Sequence, residues 1–382
     1  MTSTTLLLRD LVRLPSVNPM GRQWPSDEWL YEHRLTAYLE TFLRDNGLAC
    51  RRQTVAPGRD NLITRYESPG APRTLLFEVH QDTVPADAMT VEPFAGEVRA
   101  GRLYGRGACD VKGGMAAMLT VLARLARAKP RTAANVVLAC TVDEEHTFLG
   151  VQHLMQSGLT ADAAVVAEPT NLHIVDAHKG VVRWQVRTPG RACHSSQPEQ
   201  GVNAIYRMGR LLGAIEHYAA QLARSRSEPR LGPPTLSVGR IEGGVSVNTV
   251  PDACVIEIDR RLVPGEDAAG AHAHFQQALA ANPTLNFPFT CEPVWLACPA
   301  LGSTGSAEFV QRLGDAIDSV RGGHTVMAVP FGTDASTIAE AGVPAVVFGP
   351  GDIAQAHTCD EWIELTQVEE AVEILYRLVT GY

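Results

Sequence analysis

A lone acid, Asp110, sits within Gly105-Arg106-Gly107-Ala108-Cys109-Asp110-Val111-Lys112-Gly113-Gly114-Met115, where flanking glycines permit tight turning and Met115, Met118, Leu119 and Leu122 recur at helical spacing. Taken alone, this is a turn with an acid at a helix entrance. Its companions change the reading: His80-Gln81-Asp82, Asp143-Glu144-Glu145, Glu168-Pro169 and, far downstream, His357. Carboxylates gathered in one place repel one another unless cations neutralise them. Two histidines and three carboxylates make an oxygen and nitrogen donor set that suits zinc, or cobalt or manganese, and excludes a thiolate cluster. Five ligands suit two ions sharing one carboxylate, and Asp110 is read as the shared one. Such a pair polarises a carbonyl and activates a bridging water. One spare acid must then take the water's proton and pass it to a leaving amine. Asp82, two residues from His80, fits the task of holding that imidazole in its ligating tautomer.

The elements that position these residues are legible as alternating strands and helices. Apolar runs at 74–79, 136–142 and 163–167 read as strands, and each ends at one of the acidic or histidine-bearing stretches; a helix is expected over 113–128. Strands alternating with helices predict a largely parallel sheet, whose ligands bind outside the carboxyl ends of the strands. Two packing helices precede them, one carrying Leu6 to Leu14 and one running from a Ser26 cap to Gly47. From Val181 the pattern becomes strict alternation, and the order strand, helix (203–218), strand (235–241), strand (254–261), helix (267–281), strand (285–295) is that of a split βαβ, ferredoxin-like domain. The α/β pattern then resumes, with a helix over 306–320 and a strand over 344–348 before His357. The expected fold is therefore α/β, with a discontinuous catalytic domain (1–179 and 296–382) built on a mostly parallel sheet flanked by helices, and an inserted α+β domain (180–295).

With 382 residues the chain exceeds what one core usually supports. A net charge of -9 argues against nucleic-acid binding, and no apolar run is long enough to cross a membrane. With no signal pattern after Met1, the expected location is cytoplasmic. The eight cysteines are dispersed without a CxxC pair, as expected of reduced residues. Walker A, HExxH and GxSxG motifs are absent, which argues against nucleotide, gluzincin and serine-hydrolase chemistry.

The blocks His80-Gln81-Asp82-Thr83-Val84-Pro85, Gly105 to Gly114, Asp143-Glu144-Glu145, Ala167-Glu168-Pro169-Thr170 and Gly349-Pro350-Gly351 with Ala356-His357-Thr358 resemble the dinuclear zinc amidohydrolases of the aminoacylase and carboxypeptidase type. Within that superfamily, His178-Lys179-Gly180, the segment around His194, and Asp360-Glu361-Trp362 look most like the acetylornithine deacetylase group. The resemblance implies that His80, Asp110 and Glu168 bind one ion, that Asp110, Glu145 and His357 bind the other, and that Glu144 is the general base and acid. It implies a non-proline cis peptide at Asp110-Val111, and a homodimer formed through the inserted domain, in which His194 donates to the reaction's oxyanion in the partner's site. It makes Asn248 and Arg261 substrate contacts, although Arg260 competes with Arg261 for that role.

Plainer readings stand beside these. His194 is also placed to cap a turn with Ser195 and Ser196, and Arg261 to pair with Glu257 or Asp259 along its own strand. Lys179 is a substrate-carboxylate contact or a hinge-surface lysine. Gly332-Thr333-Asp334 offers backbone donors to that carboxylate, with Thr333 at their centre, or is a tight helix-entry turn. His146 is not read as a ligand. The leading function is metal-dependent hydrolysis of the amide of an N-acyl amino acid, such as N2-acetylornithine, by a water bridging two ions, most simply zinc with cobalt as substitute. The alternatives are an exopeptidase (carboxypeptidase or dipeptidase) or an N-succinyl-diaminopimelate desuccinylase on the same scaffold, and, more remotely, an inactive metal-binding scaffold protein.

Overall fold

The computed structural model describes residues 3–225 and 227–382. The chain divides into two units, the first holding the chain up to Asp176, Ser303–Met327 and Thr333–Tyr382, the second Ala177–Gly302 and Ala328–Gly332. The divisions thus fall a few residues away from 179/180 and 295/296. One reason is that Leu296–Cys298 forms a short strand pairing antiparallel with Gly180–Pro189, which keeps the end of the insertion in the second unit's sheet.

In the first unit, four neighbouring strands are parallel: Asn135–Thr141, Thr74–His80, Ala163–Val166 and Ala345–Val347, in that order across the sheet. All but the first residue of Thr74–His80 are buried, as a parallel strand covered on both faces requires. The flanks are antiparallel. Arg59–Tyr66 pairs with Asn135–Thr141 and carries Cys50–Ala56 outside it, while Val347 pairs antiparallel with Val175 on the other side. The helix Gly113–Ala128 buries Met115, Met118, Leu119 and Leu122 in one apolar core with Leu375 and Leu378 of the last helix, Leu365–Gly381.

The second helix differs from expectation. It begins at His33 rather than near Ser26, because Tyr31 adopts a left-handed φ of 64° that a helix cannot accommodate.

The second unit has the expected βαββαβ order. Its strand Ala253–Leu262 lies between Thr235–Gly243 and Gly180–Pro189, antiparallel to both, which is the split βαβ arrangement. Its helices, Ala204–Ser225 and Ala268–Ala280, pack on that sheet through Met208, Leu211, Ile215 and Phe275, with Trp184 fully buried at the centre. The single strand expected over 285–295 is instead two short ones, Thr290–Cys291 and Leu296–Cys298. Pro288 and Pro293 each lack the N–H a continuous ladder needs. All eight cysteines are free, and among the described residues no helix is long and apolar enough to cross a membrane.

Candidate metal centre

Strand ends deliver three parts of the site. His80 closes the strand Thr74–His80, Asp143 to Glu145 follow Asn135–Thr141, and Glu168 follows Ala163–Val166. Asp110 comes from the turn Ala108–Lys112 that enters the helix Gly113–Ala128, and its peptide bond to Val111 is cis, as the resemblance implies. His357 follows the turn Ile353–Gln355 and stands in left-handed backbone, φ 62°.

The carboxylate of Asp110 faces a different imidazole with each oxygen: Oδ1 lies 3.2 Å from His80 Nε2, and Oδ2 lies 3.3 Å from His357 Nε2. Glu168 Oε1 stands 3.9 Å from His80 Nε2, and Glu145 Oε2 stands 3.2 Å from His357 Nε2. Donor atoms of Asp110, Glu145 and His357 all fall within 4.8 Å of one another, as do those of His80, Glu144 and Glu168. Glu145 Oε1 is buried without a hydrogen-bond partner, an acceptor that lacks a donor in the folded chain. This donor chemistry, nitrogen and carboxylate oxygen on two sides of one shared carboxylate, fits a pair of divalent cations.

The electrostatics agree with that fit. Burial pushes the Glu144 and Glu168 carboxyls well above their usual range and raises Glu145, with neighbouring carboxylates adding to the effect. Burial opposes charge on His80, yet Asp110 and the surrounding carboxylates hold its imidazole well above 6.5. Hydrogen bonds to Asp110 and Glu145 push His357 up to about 11. Burial alone would raise Asp110, but the two imidazoles outweigh it and hold the carboxyl below its ordinary range. Without cations, protons do the neutralising. Ligation needs neutral imidazole and ionised carboxylate, so cation uptake is expected to release protons and to strengthen as pH rises towards the His357 value of about 11. Calorimetry of zinc binding in buffers of different ionisation enthalpy measures that release.

A second layer holds the turns in place. His80 Nδ1 lies 2.9 Å from the main-chain carbonyl of Asp82, while its distance to the Asp82 carboxylate is 3.7 Å. The expected tautomer-setting contact therefore comes from the backbone of Asp82. Its carboxylate is otherwise engaged, accepting the N–H groups of Glu144 and Glu145, each at 3.2 Å, and the amide of Asn18 at 2.8 Å. Asn18 also donates to Asp143, which takes a second bond from Arg59 and a third from Thr147. Arg59 in turn pairs with the fully buried Glu32. Asn18, Glu32 and Arg59 carry no sequence signal, being single residues outside every motif. Arg59→Met is expected to leave Glu32 and Asp143 as buried acids without their cation and to destabilise the metal-free protein by about 3 to 5 kcal/mol, read from denaturant unfolding.

Thr333 is buried in the turn that enters the helix Ala335–Glu340, its hydroxyl accepting the N–H of Ala335 at 3.2 Å. In the second unit, strand alternation turns Arg260 inward, where its guanidinium meets Glu266 and the carbonyl of Ala271; Arg261 lies on the other face, donating to Asp259. Lys179 donates to the carbonyl of Pro233, and burial together with Arg261 lowers its pKa. His194 and Asn248 are neighbours on an exposed ledge, linked by the Ser195 N–H to Asn248 carbonyl bond at 3.0 Å. His194 Nδ1 accepts the N–H of Ser196 at 3.2 Å, which places the proton of the neutral ring on Nε2.

The chain is 32% identical over 360 residues to an acetylornithine deacetylase from Myxococcus xanthus, covering 91% of this chain and 92% of that one. It is 31% identical over 325 residues to an N-acetyl-L-citrulline deacetylase from Xanthomonas campestris pv. campestris, covering 84% and 85%. Its fold matches the crystal structure of an M20 family metallo-carboxypeptidase from Sulfolobus solfataricus with a TM-score of 0.78 at 19% identity, over 100% of this chain and 99% of that one. Residues 76–381, from the strand that ends in His80 to the last helix, match peptidase family M20/M25/M40, and the chain belongs to that family of metallohydrolases.

Proposed function

We propose that the protein hydrolyses the amide bond of N-acyl amino acids, N2-acetylornithine being the leading candidate, with two divalent ions shared through Asp110. The observation that carries this reading is the placement of one Asp110 oxygen against each of two histidines. His80, Glu168 and Asp110 would hold one ion, and Glu145, His357 and Asp110 the other, zinc being the simplest occupant and cobalt a substitute. When bound, such ions supply the positive charge that lowers the pKa of a water and polarises the scissile carbonyl. Glu144 takes the proton of the attacking water and gives it to the leaving amine. Burial shifts its carboxyl upward, the direction that brings a carboxylate closer to the role of a proton carrier between water and amine. Arg261 and Asn248 are the proposed substrate contacts, and Lys179 and the main-chain donors at Thr333 are the groups proposed for a substrate carboxylate.

Relatives named for acetylornithine and N-acetyl-L-citrulline support the N-acetyl amino acid class. A screen of N-acetyl, N-formyl and N-succinyl amino acids against dipeptides, with zinc and then cobalt, tests it. Turnover of N-acetylated basic amino acids is expected. Hydrolysis of dipeptides alone would make the protein an exopeptidase, and no amide hydrolysis at all would end the reading.

His194 is proposed to donate its Nε2 proton to the developing oxyanion of a partner subunit's reaction. The second unit supports a homodimer, because its edge strand Thr235–Gly243 is followed by a loop exposing Val245 and Val247 near exposed Tyr206 and Ile205. Loss of one oxyanion donor typically costs about 10²- to 10³-fold, and His194→Ala is expected to do the same. Mixing His194→Ala with Glu144→Gln subunits should restore part of the activity, since one site of the heterodimer then has both groups intact. Verified heterodimers as inactive as their parents would assign His194 to its own subunit or to no step.

A further inference from the structure

We propose that Glu361 is the positioning residue for Asp110, a buried clamp that fixes the turn presenting the shared carboxylate. This rests on the reading of Asp110 as a ligand to two divalent ions. Glu361 is fully buried, four residues after His357 and immediately before the strand Trp362–Glu364. Both its carboxylate oxygens are doubly engaged. Oε1 accepts the N–H of Cys109 at 2.8 Å and of Asp110 itself at 3.0 Å. Oε2 accepts the N–H of Gly107 at 3.0 Å and Nη1 of Arg106 at 2.6 Å. The main-chain carbonyl of Glu361 takes the N–H of Gly105 at 3.0 Å. One residue thus grips the turn at every position from Gly105 to Asp110 except Ala108.

The turn has little freedom to adopt another shape. Gly107 has φ 80°, and a Cβ there would come within 2.7 Å of Thr83 Cγ2; a Cβ on Gly113 would meet Ile363 Cδ1, two residues after Glu361, at 2.3 Å. With four donors on its two oxygens, Glu361 has no capacity left to ligate a metal itself. Its effect is exerted through Asp110, and its place near His357 ties together the two segments that meet at Asp110 Oδ2 and His357 Nε2. Glutamine at 361 keeps the volume but offers one acceptor oxygen, so its amide NH₂ must face two donors whichever way it is turned. The turn must then shift, and the Asp110 carboxylate with it.

The test uses the full chain, stripped of metal, as wild type, Glu361→Gln, Glu361→Asp and Asp110→Asn. Each is titrated with cobalt, read by its visible absorption, and with zinc by calorimetry, alongside thermal unfolding of the metal-free proteins. Outer-layer substitutions at metal sites typically cost about 10- to 100-fold in metal affinity, and Glu361→Gln is expected to show that loss with an altered cobalt spectrum in protein that is still folded. Wild-type affinity and spectrum in Glu361→Gln overturn the proposal, even if the metal-free protein melts earlier, because Glu361 would then brace the fold alone. Should Glu361→Gln not fold, Glu361→Asp keeps the charge but is one methylene short, and the same two outcomes apply to it. A wild type that binds no divalent metal, or an Asp110→Asn variant that binds as wild type does, would instead overturn the reading of the site.

Discussion

Replacing Glu144 by glutamine is expected to leave both metal ions bound and to lower turnover by about 10²- to 10⁴-fold, the range for loss of a positioned proton shuttle. The main chain at this residue is fixed independently of its side chain, by the N–H bonds of Glu144 and Glu145 to Asp82, so the substitution should not disturb Glu145. Glutamine matches glutamate in shape but can neither accept the water's proton nor return it to the amine. The fall should therefore lie in kcat, with KM little changed, the signature of an interaction made in the transition state. There is a sharp competing outcome. A Glu144 oxygen lies within 4.8 Å of donor atoms of His80 and Glu168, close enough for ligation. Metal content measured by mass spectrometry separates the two: an ion lost in step with activity makes Glu144 a ligand, whereas two ions retained in a nearly inactive enzyme leave it the proton carrier.

How much of this was legible depended on whether a signal was local. His80, Asp143 to Glu145 and Glu168 are legible at strand ends because the runs before them, Glu78 apart, are almost wholly apolar, the mark of strands buried on both faces. Which of Arg260 and Arg261 turns inward is latent in the same kind of pattern, since Cys254, Ile256, Ile258, Arg260 and Leu262 alternate inward, and Arg260 pairs there with Glu266. What could not be read was cooperation between distant single residues. Glu32 reaches Arg59, Arg59 reaches Asp143, and Asn18 joins Asp143 to Asp82, yet none of these lies in a patterned stretch. Glu361 sat inside a recognisable block, but its grip on four donors of the Asp110 turn exists only once the two segments are brought together by folding. The split at 285–295 has a simpler cause: Pro288 and Pro293 have opposite parity along the chain, so in a continuous edge strand one of them must fall where the ladder to Gly180–Pro189 needs an N–H.

Asp110→Asn is expected to have the largest effect of any single substitution, removing both ions and reducing amide hydrolysis to background. The geometry gives the reason. Each carboxylate oxygen faces a different imidazole, at 3.2 and 3.3 Å, and asparagine keeps only one of the two as an oxygen. Its NH₂ must point at one of the two positions, and the side chain has lost the negative charge that both positions share. His80→Ala, in contrast, removes a donor from one side only and is expected to weaken one ion while the other stays on Glu145, His357 and Asp110. Metal stoichiometry across the two variants therefore tests the sharing itself: two ions weakened by Asp110→Asn but one by His80→Ala supports a common carboxylate, and one ion lost in each would mean separate sites. Chelating the wild type should reproduce the inactivity of Asp110→Asn, with one difference. Zinc or cobalt added back should restore the wild type, because its ligands need only lose the protons they carried, and should leave Asp110→Asn inactive. Full turnover by metal-free wild type would remove the basis for assigning His80, Asp110, Glu145, Glu168 and His357 to cation binding.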